Sequence, residues 1–196
     1  MGKRSAQIER NTAETKIKLK FNIDGTGQVN INSGMPFFDH MLDLFTRHGL
    51  FDLDLEVDGD LDVDYHHSVE DVGICLGQAF REAIGDAKQI TRYSSGLIPM
   101  DESLAQIAID ISNRPSLQFA PKLPTGMVGQ FNSELVLEFF HAFVNNARIS
   151  LHIGILTGEN LHHMIEACFK GFGILLDRAT ILDERHSGIP STKGVL

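Results

Sequence analysis

The chain has 196 residues, 42% of them apolar, enough for a real hydrophobic core in one domain or two small ones. A formal charge of -9 and a pI near 5.4 exclude the broad basic face that nucleic acid or an anionic membrane needs, while leaving room for a phosphate pocket built from a few arginines. No apolar run approaches the ~20 residues of a spanning helix, MGKRSAQIER lacks a signal-peptide core, and Cys75 and Cys168 form no CxxC pair, so the expectation is a cytoplasmic protein without disulfides or thiolate zinc.

In chain order, KIKLKFNI alternates lysine with apolar residues, DGTG supplies a turn, and QVNINS continues the alternation, which reads as a hairpin. Residues 35 to 49, MPFFDHMLDLFTRHG, carry Phe38, Met41, Leu42 and Phe45 at helical spacing and end on a C-cap glycine. LFDLDLEV alternates as a half-buried strand, DGD turns, LDVDY reads as a further short strand, and HHSVEDVGICLGQAFREAIG is helical. In the second half LAQIAIDISN is a strand, RP breaks it, and SLQFAP reads as its partner. SELVLEFFHAFVNNA is a helix with a serine N-cap signal, RISLHIGIL a strand, and LHHMIEACFKGFGILLDRAT a helix, on which Cys168 packs as a small apolar residue, like Cys75 in the first half.

Each half therefore runs two strands, helix, strand, helix. This predicts an α/β (α+β) fold of two antiparallel sheets with helices packed between or against them. The expected organisation is one repeat over residues 1–92, a second over 93–182, together forming one domain, and a tail over 183–196 whose composition alone reads as a mobile terminus.

Two stretches stand out: DYHHSVED at 64–71 and NLHHMIEA at 160–167, each opening the second helix of its half. Neighbours on a helix diverge by about 100°, whereas residues four apart share a face. His66 with Glu70 and His162 with Glu166 are then the natural pairs, while His67 and His163 point elsewhere. Imidazole with carboxylate, and no thiolate, suits manganese, iron or zinc. A pair leaves an ion under-coordinated, so the repeat predicts an exchange in which the stray histidine of one half completes the site of the other; His40 joins His67, His162 and Glu166. The bland alternative, exposed or capping histidines, is weakened by the duplicated spacing in matching helices. His48 ends its helix, where capping is the ordinary reading. His141 and His152 read as core histidines or as supports behind a ligand, and His186 as solvated.

Taken together, HMLDLFTRHGLFDL, GDLDVDYHHSVEDVGICLGQA, PMDESLAQIAIDISNRP, LHHMIEACFKGF and IPSTKGV resemble the imidazoleglycerol-phosphate dehydratase family of histidine biosynthesis over nearly the entire chain. The resemblance implies internally duplicated ribosomal-protein-S5-domain-2-like units, two Mn2+ per active site, and a homo-oligomer of 24 subunits with sites shared between subunits. It implies a hydro-lyase that converts imidazole glycerol phosphate to imidazole acetol phosphate through an imidazolate. The family's ligands fall on His40, His67, His162 and Glu166 for one ion, and on His66, Glu70 and His163 for the other. Its catalytic glutamate matches Glu14, its phosphate-binding residues match Arg92, Arg114, Ser191 and Lys193, which makes residues 183–196 a C-terminal active-site tail rather than a mere terminus, and His48 lies in its substrate-contacting stretch. Aligning Leu53 with Leu151 places Glu138 opposite His40, where some members have histidine. Glu138 is then assigned to the second ion, with His141 as the alternative. Two rivals remain: a di-metal hydrolase, which would release phosphate, and a metal-storage helical bundle, which would lack these strands and give Arg92, Arg114 and PSTKG no role.

Overall fold

In the computed structural model, which describes residues 4–185 and 188–194, the first half forms β1 (Ser5–Asn11), β2 (Thr15–Asn22), β3 (Val29–Asn32), α1 (Pro36–His48), β4 (Asp52–Gly59) and α2 (His66–Ile84). β2 buries Ile17, Leu19 and Phe21 and sends the intervening lysines to solvent, as period-two alternation requires. The second half forms β5 (Tyr93–Met100), β6 (Ser103–Asp110), β7 (Ser116–Phe119), β8 (Met127–Val128), β9 (Phe131–Asn132), α3 (Glu134–Ala147), β10 (Ser150–Thr157) and α4 (Leu161–Thr180). The two four-stranded sheets have matching orders, β1-β2-β4-β3 and β5-β6-β10-β7.

Strand pairing departs from the sequence expectation in both halves. KIKLKFNI and QVNINS form no hairpin: β2 pairs with β1 and β4, and β3 lies parallel to β4 on its far side. The DGTG segment crosses the end of β4, where Asp52 Oδ1 accepts the N–H groups of Thr26 and Gln28, and a Cβ on Gly25 would lie 2.4 Å from Asp52 N. Likewise β7 pairs parallel with β10 rather than with β6, so each sheet is mixed, with one parallel edge. LDVDY is a turn, closed by Leu61 N–H to Gly59 O and Val63 N–H to Asp60 O.

Four helices fill the space between the sheets. α1 packs on α4 and α2 on α3, so each contact joins the two halves. Phenylalanine rings lock this layer, with centroids 5.5 Å apart for Phe38–Phe139 and 5.3 Å for Phe45–Phe172. Gly73 makes room for α3, since a Cβ there would stand 2.8 Å from Phe139 O. Gly49 does follow α1, but at φ -84 it is not the left-handed residue; that is Leu50, at φ 54. Its lack of a side chain serves packing, because a Cβ would meet the Phe51 ring at 2.4 Å. Ser133 stands at the start of α3, yet its hydroxyl serves the preceding loop, accepting Gly126 N–H and donating to Pro124 O. Both cysteines are free and buried, and burial pushes the Cys75 thiol up to about 12. No helix among the described residues is long and apolar enough to cross a membrane.

Candidate metal and acid-base site

The histidines sit at the N-terminal ends of the helices. Asn160 Oδ1 accepts the His162 backbone N–H and opens α4, and Asp64 Oδ1 does the same for His66 at α2. From α1, His40 crosses to α4. His40 Nε2 and His162 Nε2 each lie 3.0 Å from Glu166 Oε1, and the three ligand atoms fall within 4.8 Å of one another. The remaining Glu166 oxygen takes Lys170 Nζ, one turn further along. Burial alone would push the Glu166 carboxyl up, but hydrogen bonds from Lys170, His40 and His162 outweigh it and hold it at about 2. The sequence reading passed over Lys170; its i,i+4 spacing from Glu166 was the available signal.

The stray histidines have their own partners. His67 Nδ1 lies 2.9 Å from Asp60 Oδ2, and its Nε2 lies 3.8 Å from Glu14 Oε1. His163 Nδ1 lies 2.8 Å from Glu102 Oε2, with Nε2 3.8 Å from Asp101 Oδ2. The Asp60 hydrogen bond raises the pKa of His67, and that of Glu102 raises His163. The hydrogen bond from His163, joined by the Asn160 N–H, holds Glu102 well below the usual carboxylate range. A carboxylate on Nδ1 fixes ring orientation and leaves Nε2 for an ion. Sequence reasoning missed Asp60 and Glu102, which look like ordinary turn acids in an acidic chain.

The two ligand groups are thus assembled unequally within one chain. Among the described residues, His40, His162 and Glu166 come together, and His67 is not with them. Of the second group, His66 and Glu138 line one cavity of about 700 Å³ with Tyr65 and Lys122. Glu70 is exposed and His163 is turned to Glu102, while His141, which does not line that cavity, is exposed on α3. His152 is exposed on its sheet, so neither it nor His141 is a core residue; His186 lies outside the described residues. Nitrogen and oxygen donors, with both stray rings already oriented, fit a borderline to hard divalent cation such as manganese.

The expected phosphate residues gather elsewhere. Arg92, buried and at φ 72, donates its backbone N–H to Ala179 O near the far end of α4. Its guanidinium grips Asp110 through Nε at 2.7 Å and Nη2 at 3.2 Å, and donates from Nη1 to Pro190 O at 2.7 Å, which ties the tail down. Arg114 Nη2 approaches Asp110 Oδ2 at 3.9 Å, and Ser191 Oγ accepts the Lys193 N–H, leaving the Lys193 side chain exposed. At 1.5 Å per residue, α4 separates His162 from Ala179 by about 25 Å. His48 ends α1; partial burial, then the Lys170 charge, lower its pKa.

The chain is thus a duplicated α/β sandwich with histidine–carboxylate groups at the starts of α2 and α4, and with Arg92 and Arg114 set against Asp110 near the far end of α4. A family model described as imidazoleglycerol-phosphate dehydratase matches residues 33–176. Curated relatives of that name include one from Trichlorobacter lovleyi, 58% identical over 99% of this chain and 100% of its own, and one from Bacillus subtilis, 54% identical over 98% and 100%. The fold matches the crystal structure of the dehydratase from Staphylococcus aureus with a TM-score of 0.83 at 43% identity, over 91% of this chain and 98% of that one. The Pyrococcus furiosus structure, a complex with (S)-C348, matches with a TM-score of 0.81 at 36% identity, over 96% and 100%. The chain belongs to the imidazoleglycerol-phosphate dehydratase family and is an enzyme of the hydro-lyase class.

Proposed function

We propose that the chain dehydrates imidazole glycerol phosphate to imidazole acetol phosphate in histidine biosynthesis, as a cytoplasmic homo-oligomer of 24 subunits whose active sites are shared between copies. The observation that carries the sharing is the separation of about 25 Å along α4 between the His162 end and the Arg92 end, which is too far for one small substrate to touch both within a chain. A neighbouring copy in a symmetric assembly can bring the basic pole of one chain to the histidine pole of another. It can also supply the stray histidine that each ligand group lacks.

Two manganese ions, one on His40, His67, His162 and Glu166 and one on His66, Glu70, His163 and Glu138, would polarise the imidazole and favour loss of its ring N–H proton. The chain's own residues do the rest. Lys193, Ser191 and Arg114 hold the phosphate, and Arg92 anchors the tail that carries two of them. Glu14 moves the carbon-bound proton as the hydroxyl leaves with a second proton as water, and the resulting enol becomes the ketone.

The duplication supports Glu14 for this role. Phe21 pairs with Leu53 and Ile109 with Leu151, so the two hairpins superpose Glu14 on Glu102. Glu102 is committed to His163 and to the N–H groups of Glu159 and Asn160. In the first half Asp60 orients the histidine instead, so Glu14, half exposed, keeps only its 3.8 Å approach to His67 among the described residues. The test is incubation of metal-stripped and manganese-restored protein with imidazole glycerol phosphate. The keto product should form only after restoration. Release of inorganic phosphate would point to a hydrolase, and full turnover by stripped protein would overturn the metal assignment.

A further inference from the structure

Behind the turn that carries Glu14 lies a charged network centred on the buried Asp71, with Arg10 half-buried at its edge. Asp71, on the face of α2 one turn beyond His67, accepts the Thr15 hydroxyl at Oδ2, 2.5 Å away, and pairs with Arg10 Nη2 at 2.9 Å through Oδ1. Arg10 and Thr15 bracket Glu14 in sequence. Between them, Thr12 Oγ1 accepts the N–H groups of Glu14 and Thr15, and Thr12 N–H closes the turn on Thr15 O. On the other side Glu14 O accepts Asp60 N–H, and Asp60 holds His67. Asp71 is thus the point at which the turn is fastened to the helix that bears His67.

The molecule contains its own control for whether this packing needs a charge. Aligning Phe21 with Ile109 and His66 with His162 sets Arg10, Thr15 and Asp71 opposite Ile98, Ser103 and Ala167. In the second half the same hairpin therefore lies on the same helix with an isoleucine and a buried alanine where the first half has its ion pair. Only Asp71 is buried, the Arg10 side chain being 35% exposed, and apolar groups fill the same place in the second half, so a charge on this helix face in only one half calls for another reason. That half is the one whose turn glutamate carboxylate has, among the described residues, only its 3.8 Å approach to His67.

We propose that Asp71, with Arg10 and Thr15, is a positioning device that holds Glu14 at the approach to His67 needed for proton transfer. This rests on the assignment of Glu14 as the acid/base. A displacement of about 1 Å at such a group costs on the order of 100-fold in rate, whereas binding contacts elsewhere are untouched. The test copies the second half into the first as the double substitution Arg10→Ile with Asp71→Ala, alone and together with Glu14→Gln, in the manganese-loaded full chain. Expected are an unchanged metal content and assembly, a KM for imidazole glycerol phosphate changed less than twofold, and kcat lowered roughly 10- to 100-fold. In the Glu14→Gln background the double substitution should lower kcat no further, because a group that acts only through Glu14 has nothing left to position. Thr15→Val, which removes only the hydroxyl, should lower kcat in the same direction, and Thr15→Ser should restore it. Those two variants decide the matter if the double variant fails to fold. Wild-type kcat in the double variant or in Thr15→Val, or an equal loss with and without Glu14→Gln, overturns the positioning role while leaving Glu14 in place. Wild-type kcat in Glu14→Gln alone overturns the Glu14 assignment and this proposal with it.

Discussion

Glu166→Gln in the metal-free protein is a direct perturbation of the histidine cluster. The wild-type carboxyl, 8% exposed, is held at about 2 against an ordinary 4.5, with hydrogen bonds from Lys170, His40 and His162 overcoming the cost of burial. That difference corresponds to about 3 kcal/mol of stability at neutral pH, as an order of magnitude. Because the folded-state pKa is depressed, the contribution is complete above the ordinary value near 4.5 and is lost as pH falls toward 2. Glutamine cannot supply the charge and leaves Lys170, 18% exposed, with Met100 Sδ but without its charged partner. The variant should therefore melt about 6–12 °C below wild type at pH 7, given roughly 2–4 °C per kcal/mol for a chain of this size. More than half of that gap should close by about pH 3. Calorimetry in chelator at several pH values provides the check. A gap that is absent at pH 7, or that stays constant down to pH 3, would refute the assignment of the stabilisation to this carboxylate.

Gly49→Ala should lower stability by about 1–3 kcal/mol although φ -84 suits alanine, because the new Cβ meets the Phe51 ring and Gly173 O; denaturant titration reads it out. Burial raises the Asp177 pKa, so its charged form costs stability above that value; Asp177→Asn should raise the melting temperature at pH 7 and lose the advantage on acidification to pH 3. Truncation after Arg185 frees Arg92 Nη1 from Pro190 O and removes Ser191 and Lys193. Steady-state kinetics should then show KM rising at least tenfold with metal content unchanged, whereas a bystander tail leaves KM as it was.

Periodicity revealed the helices and most strands because each has one buried face, and Ile17, Leu19 and Phe21 show it plainly. It did not reveal neighbours. Alternation places a side chain on a face but carries no information on which strand lies alongside, so β3 and β7 were given the wrong partners. β1 went unread because it lies at a sheet edge with no fully buried position. The HHxxE spacing disclosed which side chains share a helix face, and Glu166 with His162 met as that spacing requires. What orients His67 and His163 was hidden, since Asp60 and Glu102 reach them across a turn rather than at helical spacing. Nor does the sequence show that Arg92 abuts the far end of α4, because that contact depends on how β5 is laid against the helix.

The shared site is tested most directly by co-expressing two variants that damage opposite poles, Glu166→Gln and Lys193→Ala, and assaying the mixed assembly for keto product from imidazole glycerol phosphate. Each variant alone should be nearly inactive, and substitution of the exposed Lys193 should leave the fold intact. If histidine and basic poles from different copies build each site, some sites in the mixed assembly receive an intact pole from each parent, and turnover returns well above that of either. A mixed assembly no more active than its parents would contradict the account and place the whole site within one chain.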